Sequence, residues 1–488
     1  IIHIAGMSKN SSNPIAYKCQ ISLSNYDIDN NIGHLQAGLL LTDISFQDTI
    51  FTIFDMSIIF ESVTFINTTV TDNYKCVSHC RGRWLLEKHI QYITMSNVFF
   101  NMPKEDGGNN EIMLTNTRKL HLTLVNATVV STVMNIHCVH CAIVVKQTKF
   151  FQLCSEGESI ILHNKKERGK RTTYHYHLTS YNSLKLDKVH IFGPEKTQNS
   201  SQHIVFLSIQ VGNIVVTISN SVFNKVRSPI MFTNTKNVTH VGRSFTSMRL
   251  QGSMLSVSII ESQFIESMSS VHNGGALHLH IPKYNMPLIK GDLYILNCTF
   301  VNNSAKIGGV MFIASGYSKL SESLNRKLIS VKIESSNFQD NRASIHSASI
   351  YVESFVQLEI ISCSFIDDMT ETDSDLKNDV GNIITSTAYG FVLVQTLFKI
   401  NDRIKILSPL LHMNMHGISE YMSGINFRIV CPTFHFGEVL HIDSAFHGIS
   451  NIITRCSVCL SLMYSVHNDI SIAYKTGKIS LSFDNLSN

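Results

Sequence analysis

The stretch that decides the fold is LYILNCTFVNN, residues 293–303. In it Leu293 and Ile295 are apolar, Asn297 is polar, Cys298 is small and Phe300 is large and apolar. The same order of residue types returns at 331–338 and 358–365. Looser copies end at Ile28, Phe46, Phe65, Phe100, Val129, Phe150, Ile191, Phe223, Phe264 and Phe398, which makes thirteen copies. One structural unit is therefore repeated along most of the chain.

The length of the repeat indicates the architecture. The shortest intervals between final residues are 18, 19 and 21, as from Ile28 to Phe46, Phe46 to Phe65 and Val129 to Phe150. A unit of about 20 residues cannot bury an apolar face alone and must stack on its neighbours. A leucine-rich repeat would need a Leu/Asn signature that is missing, and a sandwich gives no reason for one recurring motif. We therefore predict an all-β chain, a right-handed parallel β-helix (β-solenoid) of about 13–15 rungs with variable loop insertions.

Each position of the motif predicts an environment. The polar position also accepts Asp43, Gln147 and Glu261, so it should face water. The next position is often small, although Tyr26, Ile44, Val63, Val98 and Val189 depart from this. The final position is Phe in ten of thirteen copies, which predicts an interior column of aromatic rings with rungs about 4.8 Å apart. Cys298 and Cys363 share the small position with one rung between them, which predicts buried free thiols beyond disulfide reach.

The motifs resemble a known group of repeats. Phe300-Val301-Asn302-Asn303 and Gly308-Gly309-Val310, with Gly274-Gly275-Ala276-Leu277 one repeat earlier, are similar to the FxxN and GGA[ILV] repeats of polymorphic outer-membrane proteins. They also resemble repeats of secreted parallel β-helix proteins of animals, in which a Cys-rich module often follows the helix. Cys431 and the segment 455–465 resemble that module. The resemblance implies a passive extracellular or adhesive role.

These features set the expected domain organisation. Residues 1–430 should form the parallel β-helix, and 431–488 the last rungs leading into a Cys-containing segment. Insertions between motifs include the basic segment 165–171, the polar stretch 317–327 after Gly316, and the acidic run 367–379. Stacking places equivalent insertions along one edge, so these are candidate binding loops as well as ordinary solvated loops.

Charge and composition limit the partners and the compartment. The net charge is +4 with 16% charged residues, so no nucleic acid partner is expected. No run of 18 apolar residues occurs, which predicts no membrane span. Eleven cysteines, some closely spaced, favour an oxidising compartment. Of the eight Asn-x-Ser/Thr sequons, four lie at positions where a glycan would fit: Asn67, Asn126, Asn297 and Asn302.

The alternative function is a carbohydrate-active β-helix enzyme, a polysaccharide hydrolase or lyase. Asp367-Asp368, Arg403-Ile404-Lys405 and His416-Gly417 resemble fragments of a polygalacturonase site, but their order is wrong and the Asn-Thr-Asp element is missing. Gln47-Asp48-Thr49 resembles a pectin methylesterase element without its partners. We therefore assign no catalytic residue.

Metal and cofactor sites are also not predicted. The segment 137–141, HCVHC, holds four possible zinc ligands, yet strand residues three apart face opposite sides. A disulfide or separate buried thiols at Cys138 and Cys141 is the stronger interpretation. His175/His177 and His278/His280 each share a strand face and are expected to be exposed. No metal and no cofactor is expected.

The sequence favours a secreted, non-catalytic structural or adhesive solenoid. Both Ile1–Ile4 and Lys478–Phe483 are strand-like, and no amphipathic cap is evident. Open rungs are mutually complementary, so copies are expected to stack end to end as a homo-oligomer or filament.

Overall fold

The computed structural model describes part of the chain. The described residues are 2–3, 7–8, 15–17, 20–24, 38–47, 50–54, 57–66, 68–71, 91–101, 110–114, 119–130, 132–138, 140–151, 160–164, 182–193, 207–210, 213–226, 230–233, 253–269, 273–281, 288–315, 329–352, 356–370, 383–386, 390–400, 411–415, 419–423, 426–429, 440–444, 459–462, 469–475 and 478–484. They form strands and bends, with no helix among them and hence none that could cross a membrane. The chain divides into two compact units, Ile1–Ser221 and Val222–Asn488.

Unit 1, Ile1–Ser221, contains three sheets. Its strands are β1 (Ile2–His3), β2 (Met7–Ser8), β3 (Ile15–Tyr17), β4 (Gln20–Ser24), β5 (Gly38–Thr42), β6 (Ser45–Gln47), β7 (Ile50–Phe54), β8 (Ser57–Glu61), β9 (Thr64–Ile66), β10 (Thr69–Thr71), β11 (Gln91–Ser96), β12 (Phe99–Asn101), β13 (Asn110–Leu114), β14 (Lys119–Val125), β15 (Thr128–Val130), β16 (Thr132–Cys138), β17 (His140–Lys146), β18 (Lys149–Phe151), β19 (Ile160–Asn164), β20 (Asn182–Asp187), β21 (His190–Phe192), β22 (Leu207–Gln210) and β23 (Asn213–Ser219). Every third strand from β4 to β22 forms sheet A, from β3 to β21 sheet B and from β5 to β23 sheet C, each pairing in parallel.

Unit 2, Val222–Asn488, repeats the same arrangement. Its strands are β24 (Val222–Asn224), β25 (Ile230–Thr233), β26 (Ser253–Ile260), β27 (Gln263–Ile265), β28 (Leu277–Ile281), β29 (Leu288–Leu296), β30 (Thr299–Val301), β31 (Ser304–Ile307), β32 (Met311–Ser315), β33 (Ile329–Glu334), β34 (Asn337–Gln339), β35 (Arg342–His346), β36 (Ile350–Val352), β37 (Val356–Ile361), β38 (Ser364–Ile366), β39 (Met369–Thr370), β40 (Ile384–Ser386), β41 (Gly390–Val394), β42 (Leu397–Ile400), β43 (Leu411–Met415), β44 (Ser419–Ser423), β45 (Asn426–Ile429), β46 (Leu440–Ser444), β47 (Cys459–Leu462), β48 (Asp469–Lys475) and β49 (Lys478–Asp484). Sheet A includes β25, β28, β32 and β36; sheet B includes β24, β27, β30 and β34; sheet C includes β26, β29, β33 and β37. A short sheet D joins β31, β35 and β39.

The pairing confirms the parallel β-solenoid. One rung consists of a strand from sheet C, one from sheet B and one from sheet A, and each pairs with the equivalent strand of the next rung. In sheet B the register places Phe264 opposite Phe300, Phe300 opposite Phe338 and Phe338 opposite Phe365. The recurring motif is therefore one rung, as the sequence predicts.

The interior aromatic column is confirmed wherever side chains are described. In unit 1 the ring centroids of Phe46 and Phe65 lie 5.6 Å apart and those of Phe65 and Phe100 4.8 Å apart. In unit 2 the rings of Phe223, Phe264, Phe300, Phe338 and Phe365 stack in sequence with centroids 4.6, 5.1, 4.9 and 4.5 Å apart. Phe150 is also buried. The backbone of Phe398 pairs with that of Phe365, and its side chain lies outside the described part.

The polar position of the motif forms the bend between sheets C and B. In every described copy its residue has a positive φ between 49° and 54°: Asp43, Ser62, Asn97, Asn126, Gln147, Lys188, Asn220, Glu261, Asn297, Ser335, Ser362 and Gln395. All of these residues are exposed, which confirms the predicted orientation. The left-handed residue turns the chain while rung-to-rung bonding continues through it, as in Asn297 N–H to Glu334 O at 3.0 Å. That ladder offsets the cost of placing a non-glycine residue in this region.

Two expectations about the ends of the repeat are wrong. Ile28 lies outside the described residues, and the strand that pairs with β6 is β3, with Ala16 opposite Phe46. The terminal strands are also not open parallel rungs: β1 pairs antiparallel with β4, and β49 pairs antiparallel with β46 and β48. Beyond residue 430, β47 still pairs in parallel with β45, so sheet B extends into the 431–488 segment.

Candidate functional site

Three of the four glycosylation candidates lie at exposed bends. Asn126 and Asn297 occupy the left-handed position between sheets C and B, and Asn302 occupies a second left-handed bend after sheet B, with φ of 50°, 51° and 52°. The Asn126 side chain donates to Asn97 Oδ1 at 2.7 Å, also at the surface. Asn67 lies outside the described residues. A glycan on Asn126, Asn297 or Asn302 would project away from the packed interior.

The small position of the motif is a hydrogen-bonding position. Ser262, Ser336 and Thr396 each donate a hydroxyl to the carbonyl oxygen two residues earlier, at 2.8, 2.9 and 3.1 Å. Cys298 and Cys363 direct their Sγ atoms in the same way, at 3.3 Å each. Ser336 Oγ also accepts the N–H of Cys298 from the preceding rung at 3.1 Å. The sequence predicts a small buried side chain here, but the ladder of donors becomes evident only from the structure.

The prediction of buried free thiols is confirmed. Cys298 and Cys363 are free and retain 1% and 3% exposure. Burial raises the pKa of each thiol to about 11, outweighing the donors around it. A thiol held neutral in this way is a poor nucleophile and a poor metal ligand. These cysteines contribute to packing.

A second interior ladder explains the Asn of the FxxN motif. Asn303 and Asn341 turn inward after the second left-handed bend, and both are fully buried. The Asn303 amide donates to Phe264 O in the preceding rung and to Asn341 Oδ1 in the next, each at 3.0 Å. The Asn341 amide makes the equivalent bond to Phe300 O at 3.0 Å. In unit 1, Thr68 Oγ1 occupies the same position and donates to Phe46 O at 3.2 Å.

Asp368 continues this ladder, which corrects the sequence interpretation. The acidic run 367–379 was expected to be a surface loop, but the Asp368 side chain retains 1% exposure. Phe365 and Asp368 have the spacing of Phe338 and Asn341, so the bend directs Asp368 into the interior. There it accepts hydrogen bonds from Asn341 and from the hydroxyl of Ser349. Burial, together with the nearby Asp340, raises the pKa of Asp368 to about 7 despite these donors.

The Gly-Gly motif marks a close approach between rungs. Gly308 and Gly274 have positive φ, and each is followed by a glycine with no room for a side chain. A Cβ added to Gly309 would lie 2.1 Å from Ala348 O and 2.3 Å from Arg342 O. A Cβ on Gly275 would lie 2.2 Å from Gly309 O. Both glycines are therefore required by the backbone geometry where the chain enters sheet A.

The outer face of sheet C in unit 2 carries a polar cluster. Lys332 Nζ lies 2.9 Å from Glu334 Oε2, and the Tyr294 hydroxyl donates to the same carboxylate at 3.2 Å. The hydrogen bond from Lys332 lowers the pKa of Glu334. A carboxylate at the surface that is stabilised in its ionised form is poorly suited to act as a general acid. The cluster gives the enzyme alternative little support.

The structure describes only part of the predicted histidine and cysteine clusters. Cys141 is disulfide-bonded and 4% exposed, so it is not a free thiol, and its pairing with Cys138 stays a prediction. His278 is half-buried, stacks on Phe312 at 5.1 Å and contacts Asn273 O through Nδ1 at 2.8 Å. His175 and His177 lie outside the described residues. Within the described ranges no three His, Cys, Asp or Glu residues are placed to hold a metal ion.

Most of the sequence fragments that resemble catalytic sites lie outside the described residues. These are Asp48, 403–405 and 416–417. The candidate binding loops 165–171 and 317–327 also lie outside the described residues. Asp368, the buried member of the Asp367-Asp368 pair, is turned away from any substrate.

Comparison with protein-family models, with curated proteins and with solved structures finds no significant match to this chain.

Proposed function

We propose that this chain is a secreted, non-catalytic β-solenoid with a structural or adhesive role. The observation that carries the proposal is the location of its perturbed titratable groups. Strongly shifted pKa values often mark catalytic sites. Among the residues that the structure describes, the groups with the largest shifts are Asp368, Cys298 and Cys363, and all three lie in the interior ladders. All three side chains form hydrogen bonds inside the stacked rungs, where no substrate reaches them.

Two structural features support an extracellular location. Asn126, Asn297 and Asn302 are exposed at bends, so an N-linked glycan on any of them fits without repacking of the interior side chains. Cys141 is in a disulfide, a bond that persists in oxidising compartments. The resemblance to secreted β-helix repeats points to the same location. We include end-to-end association into filaments in this proposal, because unpaired edges of strands can pair with strands of another copy.

The test uses protein purified from its natural source. Peptides containing Asn126, Asn297 and Asn302 should carry glycans, detected by mass spectrometry before and after enzymatic deglycosylation. Incubation with neutral and acidic polysaccharides should release no new chain ends. Turnover of any polysaccharide would overturn the non-catalytic role, and complete absence of glycans at all three sites would remove the support for secretion. Electron microscopy of the same material would distinguish filaments from separate rods.

A further inference from the structure

Four exposed lysines surround one bend in two successive rungs of unit 1. Lys146 and Lys149 flank the bend that contains Gln147. In the next rung Lys188 occupies the same bend, and Lys185 lies in β20, the strand that leads into it. All four side chains are exposed. We call this set the lysine corner. Its members are separated by up to 42 residues in sequence, from Lys146 to Lys188, and are brought together only by stacking.

The register places the two halves of the lysine corner side by side. Lys185 pairs with Val144, two residues before Lys146, and Lys149 pairs with His190, two residues after Lys188. The N–H of Gln147 donates to Asp187 O at 2.9 Å, which aligns the two bends. Neighbouring strands lie about 4.8 Å apart, and three residues span at most about 10 Å. The four lysines therefore project from a small area of surface.

The positive charge of the lysine corner is not neutralised locally. Among the described residues none of the four lysines forms an ion pair. The nearest carboxylate in the register is that of Asp187, opposite Lys146, and it is half-buried and accepts the Ser219 hydroxyl at 2.9 Å. Four lysines and one aspartate leave a net charge of +3. A clustered field of one sign raises the local concentration of anions.

An apolar strip borders the lysine corner on sheet B. Phe151 and Phe192 lie on the outer face, two residues beyond Lys149 and His190, and their rings stack with centroids 5.0 Å apart. A ligand that follows the corner would meet cations first and then an apolar edge. That combination suits a chain of sugar rings that carries anionic groups. A protein that binds DNA through about six to ten phosphate contacts uses roughly twice the number that four lysines can make.

We propose that the lysine corner binds a linear anionic polysaccharide. The choice of a polysaccharide rests on the proposed extracellular, adhesive function, whereas the need for an anion follows from the clustered charge. The whole-chain charge of +4 gives no hint of this surface, because acidic residues elsewhere offset it.

The test compares two variants that lose the same charge. The first, K146Q/K149Q/K185Q/K188Q, removes the lysine corner; glutamine at 188 is compatible with the left-handed bend because Gln147 already occupies the equivalent position. The control, K225Q/K306Q/K332Q/R342Q, removes four cations from unit 2. Binding of the full chain to dextran sulfate, polygalacturonate, neutral dextran and a single-stranded oligonucleotide is measured at two salt concentrations, with unfolding midpoints confirming that each variant folds.

The expected result is specific to the lysine corner. Its removal should weaken binding to the acidic polysaccharides by about tenfold or more and flatten the salt dependence, while the control stays within about twofold of the unchanged chain. The inference would be overturned if both variants lost affinity equally or if the first variant lost none. It would also be overturned if the unchanged chain bound neutral dextran as well as the acidic polysaccharides, or bound the oligonucleotide more tightly than them. Shortening of the bound polysaccharide would instead contradict the non-catalytic function and leave the binding site standing.

Discussion

Asn341 donates both its main-chain N–H and its side-chain amide to one carboxylate oxygen of Asp368, at 2.8 and 3.0 Å. The other oxygen of Asp368 accepts the hydroxyl of Ser349. At the equivalent positions of the ladder, the side-chain amides of Asn303 and Asn341 each donate to the carbonyl oxygen of the Phe in the preceding rung. An ionised Asp368 has no donor for that purpose, which makes this rung sensitive to protonation.

The stability of the rung that contains Asp368 should fall as pH rises. Its folded pKa is raised from 3.8 to about 7, so the stabilisation is complete below about pH 3.8 and is lost as pH rises through about 7. Between pH 5 and pH 8.5 the loss should be roughly 2 to 3 kcal/mol. Asp368→Asn supplies the missing donor and should abolish this loss. Urea unfolding midpoints at the two pH values provide the measurement.

The control for Asp368 is Asp43→Asn, which makes the same chemical change at an exposed bend. It should leave the pH dependence of the unfolding midpoint unchanged. A pH dependence of Asp368→Asn equal to that of the unchanged chain would show that Asp368 is not the titrating group.

Gly309→Ala should disrupt the entry to sheet A. The added methyl group would overlap Ala348 O at 2.1 Å and Arg342 O at 2.3 Å, and both are main-chain atoms that move only with their rungs. We expect a loss of about 3 kcal/mol or more, measured by urea unfolding and by faster hydrogen exchange in β32 and β36. The matched control is Ala348→Gly at the same position of the next rung, which should cost only about 0.5 to 1 kcal/mol. Equal effects from the two substitutions would contradict the close-approach explanation.

The aromatic column should be sensitive to truncation in its middle. Phe300 is fully buried between Phe264 and Phe338. Phe300→Ala should lower the free energy of unfolding by about 3 to 5 kcal/mol, because it removes the ring and leaves a cavity. Phe99→Ala removes the same ring from a position that is 38% exposed and should cost less than about 1 kcal/mol. Similar losses at the two positions, measured by urea unfolding, would be inconsistent with the interior column.

The sequence predicts the inward-facing positions well, because burial restricts residue type there. The final Phe, the small position and the free thiols at Cys298 and Cys363 all follow from that restriction. The sequence does not predict the inward turn of Asp368, since an aspartate followed by an acidic run is typical of a loop. It also misses the rung that contains β44 and β45. In sheet C of that rung, Glu420 lies opposite the apolar Phe391 of the preceding rung, so the apolar pattern of the motif is interrupted. The lysine corner joins residues of two successive copies of the motif, and it becomes evident only when these copies are stacked.

Ser336 provides a test of the donor ladder, because cysteine occupies the same position in the rungs on either side. Its Oγ atom donates to Glu334 O at 2.9 Å and accepts the Cys298 N–H at 3.1 Å, both in the interior. Ser336→Ala leaves the Cys298 N–H without a partner, while Glu334 O keeps its bond from the Asn297 N–H, and it should lower the free energy of unfolding by about 1 to 3 kcal/mol. Ser336→Cys retains a weaker donor and acceptor of suitable size, as in Cys298 and Cys363, and should cost less than about 1 kcal/mol. Hydrogen exchange of the Cys298 amide gives a local readout: it should accelerate in the alanine variant and change little in the cysteine variant. If alanine were tolerated as well as cysteine, small size alone would explain the residue types at this position, and the ladder would contribute nothing measurable.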